Sequence, residues 1–210
     1  MKKKFLALVI SAMTISLVAC EKGKTTDDNK DEVTGITENN LVEIKAEVVS
    51  GRSDIAIVVA RIISLIDFPN DGWHWAEYVL DSVKYKNGGF KMSFPETVPD
   101  EYLRTNITEG IPLSDSQAKW GRVTIEAYNS AGKYLGGFFL AGKDWSIEYM
   151  YSNRSFTEKG KIEDGLEFDC SYKKGWNVIY TNYWKRTTQK PLNENFKWYL
   201  AEATCDIRPL

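Results

Sequence analysis

The chain has 210 residues, with 27 basic and 29 acidic side chains, one histidine, three cysteines and a net charge of −2 at pH 7. That balance excludes the broad basic face that nucleic-acid binding needs, so no nucleic-acid partner is expected. One histidine and three scattered cysteines form no group at metal-ligand spacing, and no metal or other cofactor is expected.

In chain order, the first segment reads MKKKFLALVISAMTISLVAC. Three lysines (Lys2, Lys3, Lys4) precede an apolar run over 5–18, shorter than the roughly 20 residues a membrane-spanning helix needs. This is the order of a secretory signal peptide, so residues 1–19 are set aside from the fold. Its removal takes three lysines and leaves a net charge of −5. Residues 21–40 contain only Val33 and Ile36 as large apolar side chains. Such a stretch cannot offset its ordering entropy, so residues 20–40 are predicted to be a flexible polar tether. Its average span would be roughly 25 Å. Residues 41–210 suffice for one domain with a full core.

Within that domain the apolar pattern repeats every second residue. Residues 42–48 (VEIKAEV) alternate strictly and predict a half-buried strand. Residues 55–63 are apolar on both faces except at Arg61, which predicts a more deeply covered strand. Residues 74–85 form the next. Asn87-Gly88 signals a two-residue type I′ hairpin turn, which needs positive φ at both positions. Residues 91–94 run back. Residues 100–104 and 114–119 are predicted as one or two helical turns each, the second capped by Ser114 or Asp115. Alternation resumes over 120–128, with Val123, Ile125 and Ala127 facing one way and Arg122, Thr124 and Glu126 the other. Residues 129–132 form a turn. Strands follow at 134–140, 145–151, 154–157, 166–172, 176–183 and 196–203. Ten or eleven short strands and no long helix predict an all-β, antiparallel two-sheet sandwich of immunoglobulin or transthyretin type. A lipocalin-like barrel is the alternative.

The tetrapeptide Leu17-Val18-Ala19-Cys20 resembles the lipobox of bacterial lipoproteins. The resemblance implies that Cys20 is acylated and becomes the first residue of the mature chain, anchored in outer-membrane lipid. Each buried CH₂ of such chains contributes about 0.8 kcal/mol. Glu21 in place of Asp points to the outer rather than the inner membrane. The acidic group Asp27, Asp28, Asp31 and Glu32 is similar to surface-export signals of Bacteroides-like bacteria, though further from the cysteine. The segments YKNGGFKMSFPETV, NSAGKYLGGFFLAG, KKGWNVIYTNYW and TTQKPLNENFKWYLAEA resemble small, poorly characterised lipoproteins of Bacteroides-type gut bacteria. This resemblance covers most of residues 41–203. It implies an exported, lipid-anchored β domain on the periplasmic or cell-surface face, and it transfers no catalytic residue. The segment from Asn87 to Pro95 is also similar to hairpins of transthyretin-like sandwiches.

Candidate sites are few. The segment 137–143 (GFFLAGK) matches most of a phosphate-loop pattern, but Asp144 follows where a hydroxyl is needed and the residues are strand-like. Two S-x-x-K matches, at Ser130 and Ser171, fall at turns or strand ends without companion motifs. Any Ser-His-Asp or Cys-His site would have to use His74. Asp67, Asp71 and Glu77 are a poor calcium set because Pro69 interrupts them. The strongest candidates are aromatic. Trp73 and Trp75 fall on one face of a strand beside His74 and acidic residues, which suits stacking on a sugar ring. Tyr180 and Trp184, with Tyr183, form a second candidate patch beside Lys185 and Arg186. Cys170 and Cys205 could be bridged in an oxidising compartment. The expected function is non-enzymatic: a cell-envelope lipoprotein that binds a glycan or protein. The alternative is a structural or assembly subunit of an envelope complex.

Overall fold

The computed structural model describes residues 35–37, 41–68, 72–105 and 111–203, and only the backbone of 66–68, 72 and 73. Cys20 and Cys205 lie outside these residues.

The strict alternation at the start of the domain forms β1 (Glu43–Glu47), in which Ile44 and Ala46 are buried and the charged residues are exposed. Ile36, assigned from sequence to the tether, pairs with Val42 instead and packs against the core. One apolar side chain thus carries the folded region back to Gly35, whose carbonyl accepts from Glu43 N at 2.9 Å. β2 (Ile57–Phe68) and β3 (Gly72–Lys84) pair antiparallel, with a bulge between Ala60 and Arg61. At Asn87 and Gly88, φ is 53° and 78°, and Lys86 and Gly89 exchange both backbone hydrogen bonds. This is the predicted type I′ turn. Its two arms then part: β4 (Gly89–Ser93) leaves β3 and pairs with β1 as a two-stranded sheet.

β5 (Trp120–Tyr128), β6 (Tyr134–Ala141), β7 (Ser146–Ser152), β8 (Phe156–Lys161), β9 (Glu167–Tyr172), β10 (Gly175–Thr181), β11 (Lys185–Thr187) and β12 (Lys197–Glu202) complete the chain. With β2 and β3 they form a ten-stranded sheet in the order β3-β2-β5-β6-β7-β10-β11-β9-β8, with β12 on β6. The fold is therefore an all-β, two-sheet sandwich. β3 and β8 end the large sheet without pairing to each other, which excludes the closed lipocalin-like barrel.

The β1–β4 sheet covers the inner face of the large sheet. Phe90 packs on Phe138 at 5.0 Å and edge-on to Trp198 at 5.5 Å; Phe94 meets Tyr149 and Trp176. A second, smaller core forms where β8 and β9 curl over the other face of β7 and β10. It holds Trp120, Met150, Phe156, Cys170, Tyr172 and Ile179. Curling of this kind is how strongly twisted sheets of about ten strands cover themselves.

Three sequence expectations change. Residues 114–119 form no helix: Ser114 Oγ accepts from Thr157 N and Asp115 Oδ1 from Gln117 N, so the caps serve a turn. Only a single 3₁₀ turn forms over Asp100–Tyr102. β11 was not expected. It slots between β9 and β10, parallel to β9, and so breaks the all-antiparallel pattern.

Candidate functional site

The outer face of the large sheet carries the polar residues of β5. β5 pairs with β7 from Trp120 to Arg122 and with β6 only from Ile125 onward. β6 meets β7 at Leu140 and Ala141 alone. Three strands therefore diverge around Val123, Thr124, Phe139, Glu148 and Tyr149, and the sheet forks.

The fork opens a groove of about 390 Å³, within the range of small-ligand sites. Its floor includes Ile125, Phe138, Ile147 and Trp198; its rim includes Arg122, Thr124, Glu126, Tyr134 and Glu148. Burial, and then the negative charge of Glu126, push the Tyr134 hydroxyl up, so it stays a neutral donor.

Two neighbouring glycines explain the opening. Gly136 has φ of 151°, and a Cβ there would lie 2.1 Å from the Ala201 carbonyl oxygen. The backbone requires that glycine. Gly137 is different: a Cβ there would meet nothing closer than 3.8 Å, at Ile125 O and Tyr134 Oη. It pairs with Glu126, on the groove side of the sheet. Its missing side chain leaves space in the groove and satisfies no backbone demand.

Ionic side chains flank the groove. Arg61 Nη1 donates to Glu77 at 2.6 Å, while its Nη2 donates to Tyr128 Oη at 2.8 Å and lies 3.2 Å from Glu126. Glu148 is shared by two guanidinium groups, Arg186 at 2.9 Å and Arg122 at 3.4 Å. Beyond Ile62, β2 and β5 separate, and Arg104 pairs its backbone with Trp120 in the gap. The Arg104 guanidinium lies 3.8 Å from the centroid of the Trp120 ring. Burial, and then repulsion from Arg122 and Arg186, bring the Arg104 pKa down to about 10. Behind this group, Glu158 is fully buried and accepts from Tyr172 Oη at 2.9 Å.

The sequence candidates separate. Trp75 is 56 % exposed and His74 is exposed on β3. The side chain of Trp73 lies outside the described residues, and strand alternation turns His74 to the side opposite Trp75. Tyr180 is buried at 3 % exposure in the main core against Phe196, because it shares the inner face of β10 with Trp176; it belongs to no surface patch. Trp184 is exposed at the β10–β11 turn, edge-on to Tyr183 at 4.6 Å. The basic tip beside it is paired, Lys185 with Glu167 and Arg186 with Glu148. Cys170 is a free, fully buried thiol; Cys205 lies outside the described residues. Residues 137–143 run along β6 into a turn, away from any phosphate-loop geometry.

Sequence reasoning missed Arg104, Arg122, Gly137 and Glu148 as site residues, and placed Arg186 beside an aromatic patch rather than at the groove. The Gly-Gly pair within a strand pattern was the available signal, since glycine there marks a close approach or an opening. No protein-family model, curated protein or solved structure matches this chain.

Proposed function

We propose that this protein is a non-enzymatic cell-envelope lipoprotein that binds a glycan or protein ligand in the groove at the sheet fork. In this reading acylated Cys20 holds the domain to outer-membrane lipid through a short polar tether. The observation that carries the reading is Gly137, a glycine the backbone does not need, set where any side chain would fill the groove. A pocket with an aromatic and aliphatic floor and a polar rim suits a sugar or an extended peptide. The non-enzymatic reading is supported by the separation of the two most reactive side-chain types. Cys170 is sealed in the second core, with burial pushing its thiol pKa up, while His74 is exposed on β3.

The test is an array of glycans and extracellular proteins probed with the full chain, with Gly137→Trp as the filled-groove control. Ligands captured by the wild type and lost in Gly137→Trp support the reading; an array on which the two behave alike removes it. Labelling with a palmitate analogue, lost in Cys20→Ala, tests the anchor separately.

A second reading, an assembly subunit, has its own observation. β3 is a 13-residue strand with no strand on its outer edge among the described residues, and Trp75 and Val79 are half exposed on it. Such edges invite partners. Cross-linking in intact cells to one envelope protein, abolished by proline substitution at Val79, would favour it.

A further inference from the structure

Arg104, Arg122 and Arg186 form a surplus of donors at the edge of the groove. Two carboxylates stand near the three guanidinium groups: Glu148, which already serves Arg122 and Arg186, and the buried Glu158, whose charge acts on Arg104 more weakly than the two arginines do. Arg104 has no hydrogen bond or ion pair from its side chain among the described residues; its guanidinium lies against the indole face of Trp120. Two further donors are buried without acceptors, Arg186 Nε and Trp120 Nε1, and Trp120 is only 2 % exposed. A buried donor left without an acceptor has lost its water and gained nothing in exchange. Every unmet group in this cluster is a donor, and two of them are on arginines, whose planar fork matches an oxyanion. The pKa of Arg104 is brought down by burial and by its arginine neighbours, and the charge of Glu158 offsets this only in part, the direction expected of a cation whose counter-charge is incomplete.

We infer that the Arg104–Arg122–Arg186 cluster binds an oxyanion, the carboxylate, sulfate or phosphate group of the ligand that lies in the adjacent groove. The inference rests on the groove being the ligand site, but it is tested apart from it. The acidic net charge of the chain does not oppose it, because the cluster is local: three guanidinium groups stand against Glu148 and the buried Glu158, which accepts from Tyr172 Oη. Glu148 acts as the internal competitor: it holds two arginines in position and is displaced in part when the anion enters.

The experiment is a titration of the full-length chain, purified in detergent, with sodium sulfate, phosphate or acetate. Ionic strength is held constant with sodium chloride. Arginine Nε–H and tryptophan indole N–H resonances are followed. The expected result is a saturable shift of the Arg186 Nε–H and Trp120 indole signals with at least one oxyanion and not with chloride; the three salts distinguish a carboxylated from a sulfated or phosphorylated ligand. Arg104→Gln should weaken the binding at least tenfold. Arg104→Lys, which keeps the charge and loses the fork, should lie between. Glu148→Gln should strengthen it several-fold. Arg154→Gln, at an exposed arginine paired with Asp115, should leave it unchanged. Should Arg104→Gln not fold, the wild-type and Glu148→Gln titrations decide. Shifts that stay linear in every salt, or an unchanged affinity in Arg104→Gln, would overturn the inference. Saturable anion binding together with an empty ligand array would leave the cluster standing and remove the groove reading. A productive array with no anion binding would do the reverse.

Discussion

Alanine at Gly136 and at Gly137 should act in opposite directions, although the two residues are adjacent in one strand. At Gly137 the new methyl group meets only ordinary contacts at 3.8 Å, and φ is not positive. Replacing a strand glycine then removes its excess unfolded-state entropy, a gain of about 0.5–1 kcal/mol. For a domain of this size the midpoint of thermal unfolding should rise by about 1–4 °C. At Gly136 the same methyl would lie 2.1 Å from the Ala201 carbonyl oxygen, at φ of 151°. β12 would have to move off β6, and the strained backbone alone costs about 1–3 kcal/mol. Urea unfolding of the full chain, read by tryptophan fluorescence, gives both values. A Gly137→Ala variant that is destabilised, or a Gly136→Ala variant that is not, would refute the claim that only Gly137 is spare and that it is there to keep the groove open.

Further outcomes follow from the packing and the buried titrating groups. Phe90→Ala should cost about 3–5 kcal/mol, since it opens a cavity between the two sheets against Phe138 and Trp198. A loss under 1 kcal/mol in urea unfolding would mean that the β1–β4 sheet does not cover the core. Burial pushes the Cys170 and Tyr172 pKa values up in the folded state. Both groups therefore keep their protons in the fold after the unfolded chain has released them. Stability should be full below about pH 8, then fall above the unfolded values of about 8.5 and 10, by up to about 1.4 kcal/mol per pH unit per group. Cys170→Ala and Tyr172→Phe should each flatten that alkaline limb; an unchanged limb in both would contradict their burial. Trp75→Ala, at an exposed strand position, should change stability by less than about 0.5 kcal/mol.

Much of this fold is legible because burial on one face imposes a period of two. β1 follows from the alternation of residues 42–48, and Asn87-Gly88 specifies the turn between β3 and β4 through positive φ at both positions. β11 escapes because three residues (KRT) carry no period; it exists because β9 and β10 splay and leave edges to be paired. Residues 114–119 misled because good N-caps are equally good turn formers, and the choice between helix and turn was made by Thr157 of β8 and Asn153 of the β7–β8 connection, both distant in sequence. The site was less legible still. Arg104, Arg122 and Arg186 come from three separate segments and meet only through the fork and the β2–β5 gap. The single charge in an apolar strand, Arg61, was visible, but its partners Glu77, Glu126 and Tyr128 were not. Tyr180 and Trp184 stand four residues apart, yet one lies on the inner face of β10 and the other past its end, so composition alone joined what the strand separates.

The most direct test of the groove as the binding site is the affinity of the ligand captured on the array, measured by calorimetry for the wild type, Gly137→Trp and Trp75→Ala. Groove binding predicts a loss of at least a hundredfold in Gly137→Trp and little change in Trp75→Ala. Undiminished binding in Gly137→Trp, with the loss falling on Trp75→Ala, would move the site to the exposed face of β3 and contradict the account.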